Sequence, residues 1–179
     1  DLLSRPENPR WAVYDRFSRR GSLLALDEEP LVETVGEIGA YSRHTYYPNL
    51  SNTTGYAIGL YGQAGLERSL YAYLRGLVGQ DYQTRALHEL LYNQPPDGLD
   101  IKLNLNLKLQ QRADELLGDS QGAIVLLNAK SGEVYVMASH PTYDANRLVE
   151  DWETLIKRED APLLNRATQG AYPLGSLSG

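Results

Sequence analysis

Along the first ninety residues the apolar positions come in short, interrupted runs, and the elements they predict are small. Trp11, Val13, Asp15 and Phe17 alternate with Ala12, Tyr14 and Arg16, which reads as a two-faced strand. Arg19-Arg20-Gly21 is a turn signal, and Ser22 to Leu26 reads as the returning strand of a hairpin. Leu31 to Val35 predicts another short strand. Gly55 to Gly62 is punctuated by glycine and predicts an irregular segment where backbones pass closely. Glu67 to Leu77 places Leu70, Tyr73, Leu74 and Leu77 at helical spacing. Thr84 to Tyr92 predicts a second helix, with Thr84 as its cap.

Asn93-Gln94-Pro95-Pro96-Asp97-Gly98 is the clearest break and the candidate domain boundary. Beyond it, Ile101, Leu103, Leu105 and Leu107 alternate with polar residues as in a half-buried strand. Leu109 to Leu117 predicts a helix with Leu109, Ala113, Leu116 and Leu117 on its inner face. Gly122 to Leu127 reads as a buried strand, Asn128 to Gly132 as a turn, and Glu133 to Ala138 as the partner strand. A helix from Asp144-Ala145-Asn146 to about Arg158 should turn Leu148, Trp152, Leu155 and Ile156 inward. Strands and helices are thus mixed, which predicts an α+β fold.

Composition adds mainly exclusions. The chain has 179 residues, a net charge of -6 and no cysteine. Disulfides, thiolate metal sites and a cysteine nucleophile are therefore ruled out. The acidic balance argues against nucleic acid and anionic membrane surfaces as partners. No apolar run reaches membrane-spanning length, and no signal peptide is present. The opening at Asp1, without an initiator Met, reads as a chain from which something upstream has been removed.

His44, His88 and His140 have no second ligand at metal spacing and read as surface or internally satisfied histidines. No metal or organic cofactor is expected. Asn49-Leu50-Ser51 and Asn52-Thr53-Thr54 match the glycosylation sequon, a short and frequent pattern. Thirteen tyrosines against one phenylalanine suit a thin, partly wet core, or less simply a stacking platform.

The chain ends in Tyr172-Pro173-Leu174-Gly175-Ser176-Leu177-Ser178-Gly179. A serine at the opening of a helix is placed either to cap it or to act as a nucleophile. In a Ser-x-x-Lys site the lysine three residues on lies on the same helix face and takes the serine proton. Here that position is Gly179, which supplies no base and is a poor helix former.

Gly122-Ala123-Ile124-Val125, Ser131-Gly132-Glu133 and Met137-Ala138-Ser139-His140-Pro141-Thr142-Tyr143-Asp144-Ala145-Asn146 resemble the opening hairpin of a penicillin-binding protein transpeptidase domain. Asn165-Arg166-Ala167 and Tyr172 to Ser176 resemble the approach to that family's active-site serine. Arg20-Gly21-Ser22-Leu23, Tyr46-Tyr47-Pro48, Gly55-Tyr56, Tyr61-Gly62 and Gly65-Leu66-Glu67 resemble segments of the non-catalytic pedestal of class B, PbpA-like members.

The resemblance implies a pedestal, or dimerisation-type, module over residues 1–97. It also implies the hairpin-and-helix start of the transpeptidase fold over 98–179, with Ser176 as the candidate acyl nucleophile. It implies a protein on the extracytoplasmic face of a bacterial membrane, held by an upstream anchor. Its expected ligands are peptidoglycan stem peptides and beta-lactams. Its expected protein partners are a membrane glycosyltransferase and division or elongation proteins.

Four positions depart from the family pattern: Leu174 and Ala145 for proline, Asn106 for aspartate, and Gly179 for lysine. The later Ser-x-Asn and Lys-Thr-Gly motifs do not occur. Leu177-Ser178-Gly179 reads as native sequence of a degenerate transpeptidase that binds without catalysing, as foreign residues after a truncation, or as an altered end. The other departures favour the first. A rival reading, a serine hydrolase with His140 as base, lacks a carboxylate placed to orient the histidine and a Gly-x-Ser-x-Gly elbow.

Overall fold

The structure is a computed structural model and describes residues 17–92 and 96–172. The architecture is α+β, as the mixed pattern predicts. A four-stranded sheet is built from β1 (Leu23–Leu24), β2 (Pro30–Val35), β3 (Ser42–Thr45) and a strand from beyond the Pro-Pro break. That strand is Ile101–Lys102, and the order is β3-β2-β1-(Ile101–Lys102). The first three strands pair antiparallel; Ile101–Lys102 lies parallel to β1, with Leu23 opposite Ile101. The association continues past the ladder: Leu103 N donates to Leu24 O (2.9 Å), and Leu26 N to Leu105 O (2.9 Å). Most of the strand predicted over Trp11 to Phe17 lies outside the described residues.

The main core sits against this sheet. Leu23, Ala25, Leu31, Val32, Leu50, Leu74 and Leu105 are buried together, with Tyr47 and Met137 packed at its edge. The predicted alternation of Ile101, Leu103, Leu105 and Leu107 therefore does face inward. Only two of its residues form regular ladder, because Asn106 already caps the next helix: its side chain accepts from Leu109 N at 3.1 Å.

Between β3 and the Pro-Pro break the chain makes α1 (Ser51–Thr54), the small hairpin β4–β5 (Ala57–Ile58 and Gly62–Gln63), α2 (Gly65–Ser69), α3 (Tyr71–Leu74) and α4 (Tyr82–Tyr92). The single helix predicted over Glu67 to Leu77 is broken at Leu70, and Tyr73 faces outward. The helix also stops at Leu74, short of Leu77: Tyr73 O accepts from Leu99 N (3.0 Å) and Leu74 O from Gly21 N (2.8 Å), partners outside the helix. The α4 cap is Asp81 rather than Thr84: Thr84 N donates to Asp81 Oδ1 at 2.8 Å. The Thr84 hydroxyl and amide hold the Asp81 carboxyl below its ordinary pKa.

Gly55 is where backbones cross. Its φ is +81°, and a Cβ there would overlap the carbonyl oxygen of Ala64. This is the close approach predicted from the glycine punctuation.

The second half holds α5 (Leu107–Leu117), the antiparallel hairpin β6 (Gly122–Leu127) and β7 (Val134–His140), α6 (Leu148–Leu155) and the short α7 (Arg166–Gln169). Two expectations change. The inner face of α5 is Gln110, Ala113 and Asp114, whereas Leu109 and Leu116 are exposed. Polar side chains take that face because they bond into β7 and its end. The far half of β6, Val125 to Leu127, is exposed instead of buried, since β7 is its only strand neighbour among the described residues. Leu148 and Leu155 turn inward as predicted and pack with Tyr143, while Ile156 is exposed just past the helix end.

Candidate functional site

The site is best built from α1, whose four residues are all buried although all are polar. Buried polar groups call for partners: Thr54 finds its own in Leu50 O, and Ser51, Asn52 and Thr53 bond to the second half of the chain. Asn52 Nδ2 donates to Ser139 O and Pro141 O, both at 3.2 Å. The Thr53 hydroxyl donates to Met137 O at 3.1 Å. Ser51 Oγ accepts from Ala145 N (3.2 Å), and Ser51 O accepts from the Tyr143 hydroxyl (2.9 Å). Just upstream, Thr45 exchanges two main-chain bonds with the Asn146 side chain, at 2.8 and 2.9 Å. The Asn52 sequon is therefore internal, and its side chain is committed to holding β7.

The segment that leads toward Ser176 is fastened to the same place. Asn165 caps α7 by accepting from Ala167 N (3.0 Å), and its Nδ2 donates to Asn52 O (3.0 Å). Ser139 Oγ accepts from Arg166 N at 2.8 Å. The buried Arg166 guanidinium ties the preceding loop, donating to Ala161 O at 3.1 Å and to Asp160 O. Ser176 and Gly179 themselves lie outside the described residues. Burial lifts the Tyr143 and Tyr56 phenols above their ordinary pKa, so both keep their protons at neutral pH.

His140 has a partner that the sequence reading missed. Its Nε2 lies 3.0 Å from Asp114 Oδ1 and its Nδ1 2.9 Å from Gly118 O. A carboxylate is thus placed beside the histidine, contrary to expectation, because α5 packs on β7 with Asp114 facing it. Both ring nitrogens are consumed, so neither is available as a base for a serine. Asp114 Oδ2 also accepts from the Tyr47 hydroxyl (3.0 Å), and Gln110 Oε1 accepts from Met137 N (2.9 Å). Burial and the nearby Asp114 carboxylate raise the Tyr47 pKa. The one signal for this network was the polar pair Gln110 and Asp114 at helical spacing.

Arg20 and Arg43 share the buried carboxylate of Glu67: Arg20 Nε lies 2.6 Å from Oε2, and Arg43 bonds Oε1. Through Arg20 and Glu67 this joins two of the segments that carry the pedestal resemblance. The tyrosines range from buried (Tyr71 and Tyr143) to exposed (Tyr46 and Tyr73). Tyr47 packs on the main core, and Tyr61 stacks on Trp152 with ring centroids 4.2 Å apart. Among the described residues no group of three His, Asp or Glu is placed to hold a metal, and no helix is long and apolar enough to cross a membrane.

A β-hairpin with one helix across it, and a capped turn anchored to its returning strand, thus lie immediately before the serine segment. Residues 122–177 match the penicillin binding protein transpeptidase domain. The chain is 30% identical over 98% of its length to the peptidoglycan D,D-transpeptidase PbpA of Mycolicibacterium smegmatis, spanning 38% of that relative. Against the peptidoglycan D,D-transpeptidase MrdA of Escherichia coli it is 37% identical over 64% of its length, spanning 20% of that relative. The crystal structure of penicillin-binding protein A from Mycobacterium tuberculosis superposes with a TM-score of 0.77 at 25% identity. That match covers 89% of this chain and 39% of the other. The chain therefore spans well under half the length of these relatives.

Proposed function

We propose that this chain is the pedestal and the first part of the catalytic domain of a class B penicillin-binding protein acting in peptidoglycan cross-linking. On this reading residues 1–97 are the pedestal and 98–179 the start of the transpeptidase domain, with Ile101–Lys102 lending the pedestal sheet its outer strand. The observation that supports it most is the anchoring of the Asn165–Gln169 turn to Ser139 and Asn52, just before the family's serine segment.

In an intact protein of this kind the serine attacks the penultimate carbonyl of a D-Ala-D-Ala stem peptide. D-Ala leaves, and the acyl group passes to an amine on a neighbouring strand. Beta-lactams acylate the same serine. The site works outside the cytoplasmic membrane, and an upstream helix anchors the protein.

The chain itself is not a competent transpeptidase. Ser176 is followed three residues on by Gly179, and a serine hydroxyl without a neighbouring base is a poor nucleophile. Incubation with a fluorescent penicillin is expected to give no saturable covalent label at Ser176, and Gly179→Lys alone is not expected to create one. Stoichiometric labelling of Ser176 in the unaltered chain would overturn this reading.

One observation favours a second role as an interaction module. Helix α4 exposes Leu87, Leu90 and Leu91 at helical spacing. Co-purification with a membrane glycosyltransferase, lost on Leu90→Glu, would support that role; co-purification unaffected by Leu90→Glu would count against this face.

A further inference from the structure

Strand β6 reads Gly-Ala-Ile-Val-Leu-Leu, with no charge and no proline. Its far half is open: Val125, Leu126 and Leu127 are 43%, 46% and 52% exposed. Edge strands are usually blunted by a charge, a proline or a covering element. Among the described residues no strand other than β7 pairs with β6.

The opposite edge of the hairpin is closed. On β7, Tyr135 O accepts from Asn106 N and Met137 N donates to Gln110 Oε1, both at 2.9 Å. Met137 O accepts from the Thr53 hydroxyl (3.1 Å), and Ser139 O from Asn52 Nδ2 (3.2 Å). All of these groups point away from β6. The register sets Val125 opposite Met137 and Ala123 opposite Ser139. In an antiparallel ladder, residues that face each other turn their main-chain groups either toward one another or both outward. Val125 and Ala123 therefore direct N–H and C=O to the open side of β6, where no group among the described residues bonds them. The complement of such a row is another strand.

The charges beside β6 select which strand fits. Asp119 stands just before it and Lys130 just after it; both are exposed, and neither forms an ion pair among the described residues. A second copy laid antiparallel, about a two-fold axis at Val125, brings the Asp119 end of each copy to the Lys130 end of the other. Residues 120–129 between them are all uncharged, so no like charges meet across the axis. A parallel copy would instead set like against like at both ends.

We propose that this chain associates with a second copy of itself by antiparallel pairing of β6 with β6. The two hairpins then form one continuous sheet in the order β7-β6-β6-β7. A strand of 6 residues a side makes an interface smaller than that of a permanent dimer, so the association is reversible and concentration dependent. The pairing uses neither Ser176 nor the α4 leucines, and it stands or falls apart from the transpeptidase reading.

Sedimentation velocity of the chain from about 10 μM to 1 mM, a range that spans weak association, is expected to show a monomer–dimer equilibrium. Amide exchange at Ala123 and Val125 should slow as the dimer fills. Val125→Lys sets two lysines face to face on the axis and should weaken the dimer at least about tenfold. Lys130→Glu sets a second acid beside Asp119 and should weaken it at least about threefold, and adding Asp119→Lys should restore it. Both of these positions are exposed, so the charge swap decides the matter if Val125→Lys fails to fold. A monomer throughout the range, a dimer undiminished in folded Val125→Lys or in Lys130→Glu, or a swap that restores nothing would each refute the pairing. So would a dimer lost in Leu90→Glu and kept in Val125→Lys, which would place it on α4.

Discussion

The side chain of Asn165 donates to the main-chain carbonyl of Asn52, 3.0 Å away across 113 residues of sequence. Asn52 in turn grips the carbonyls of Ser139 and Pro141. Two asparagines thus link helix α1 in the first half, the end of strand β7 and the short helix α7 before the serine segment. Asn52→Ala is expected to destabilise the chain by about 2–3 kcal/mol, because it strands buried carbonyls. It should also release the Arg166 amide from exchange protection. Urea denaturation and hydrogen exchange measure both, with Gln111→Ala on the exposed side of α5 as a near-neutral comparison. A loss no larger than that of Gln111→Ala would contradict the linking role.

Glu67 supports two arginines with one carboxylate. Glu67→Gln keeps the shape and removes the charge. The expected loss is about 3–5 kcal/mol, the usual effect of leaving buried ions unpaired. A calorimetric melting temperature within a degree of the parent would show that Arg20 and Arg43 are satisfied by their other contacts.

Gly55 and Gly132 both have positive φ, +81° and +77°, but only Gly55 is crowded. At Gly132 a Cβ would meet nothing within 4 Å. Gly132→Ala should therefore cost about 1 kcal/mol from backbone strain alone. Gly55→Ala must also displace the Ala64 carbonyl and should cost well over about 2 kcal/mol. Equal effects in denaturant titrations would mean that the crossing of residues 55 and 64 is not tight.

Alkaline pH should unfold the protein through its buried phenols. Burial raises the pKa of Tyr143 and of Tyr47, the latter aided by Asp114. The unfolded chain then releases those protons first. Stability is constant with respect to them below the ordinary tyrosine value of about 10 and falls as pH rises beyond it. Tyr143→Phe should flatten that fall in urea melts between about pH 9 and 11. At neutral pH it should cost about 1 kcal/mol for the lost bond to Ser51 O. An unchanged slope would place the alkaline transition elsewhere.

The hairpin around Asn128 to Gly132 was legible because its signals are local: alternating apolar residues and a turn with glycine at φ +77°. So was the close crossing at Gly55. Helix α5 was legible in extent but not in orientation. Its leucines suggested an apolar inner face, whereas Gln110 and Asp114 turn inward because Met137 N and His140 wait on the facing strand. That demand comes from residues more than twenty positions away, which a local pattern does not register. The burial of the Asn52 sequon, a short and frequent pattern in the sequence, has the same origin, since Ser139 and Pro141 claim that side chain. Of the candidate site, the Asn165-Arg166 landmark is visible in both sequence and structure. Ser176 rests on sequence alone.

The parallel pairing of Leu23 with Ile101 sets an order of events during synthesis. A ribosome releases residues 23 and 24 well before residue 101. Through that interval β1 has β2 on one side, while Ile101, Leu103 and Leu105 are still missing from the core they complete. Long-range parallel contacts of this kind close slowly. A nascent chain arrested before residue 100 should therefore hold an unfinished sheet with an open edge, a state for which a chaperone or an early partner would compete.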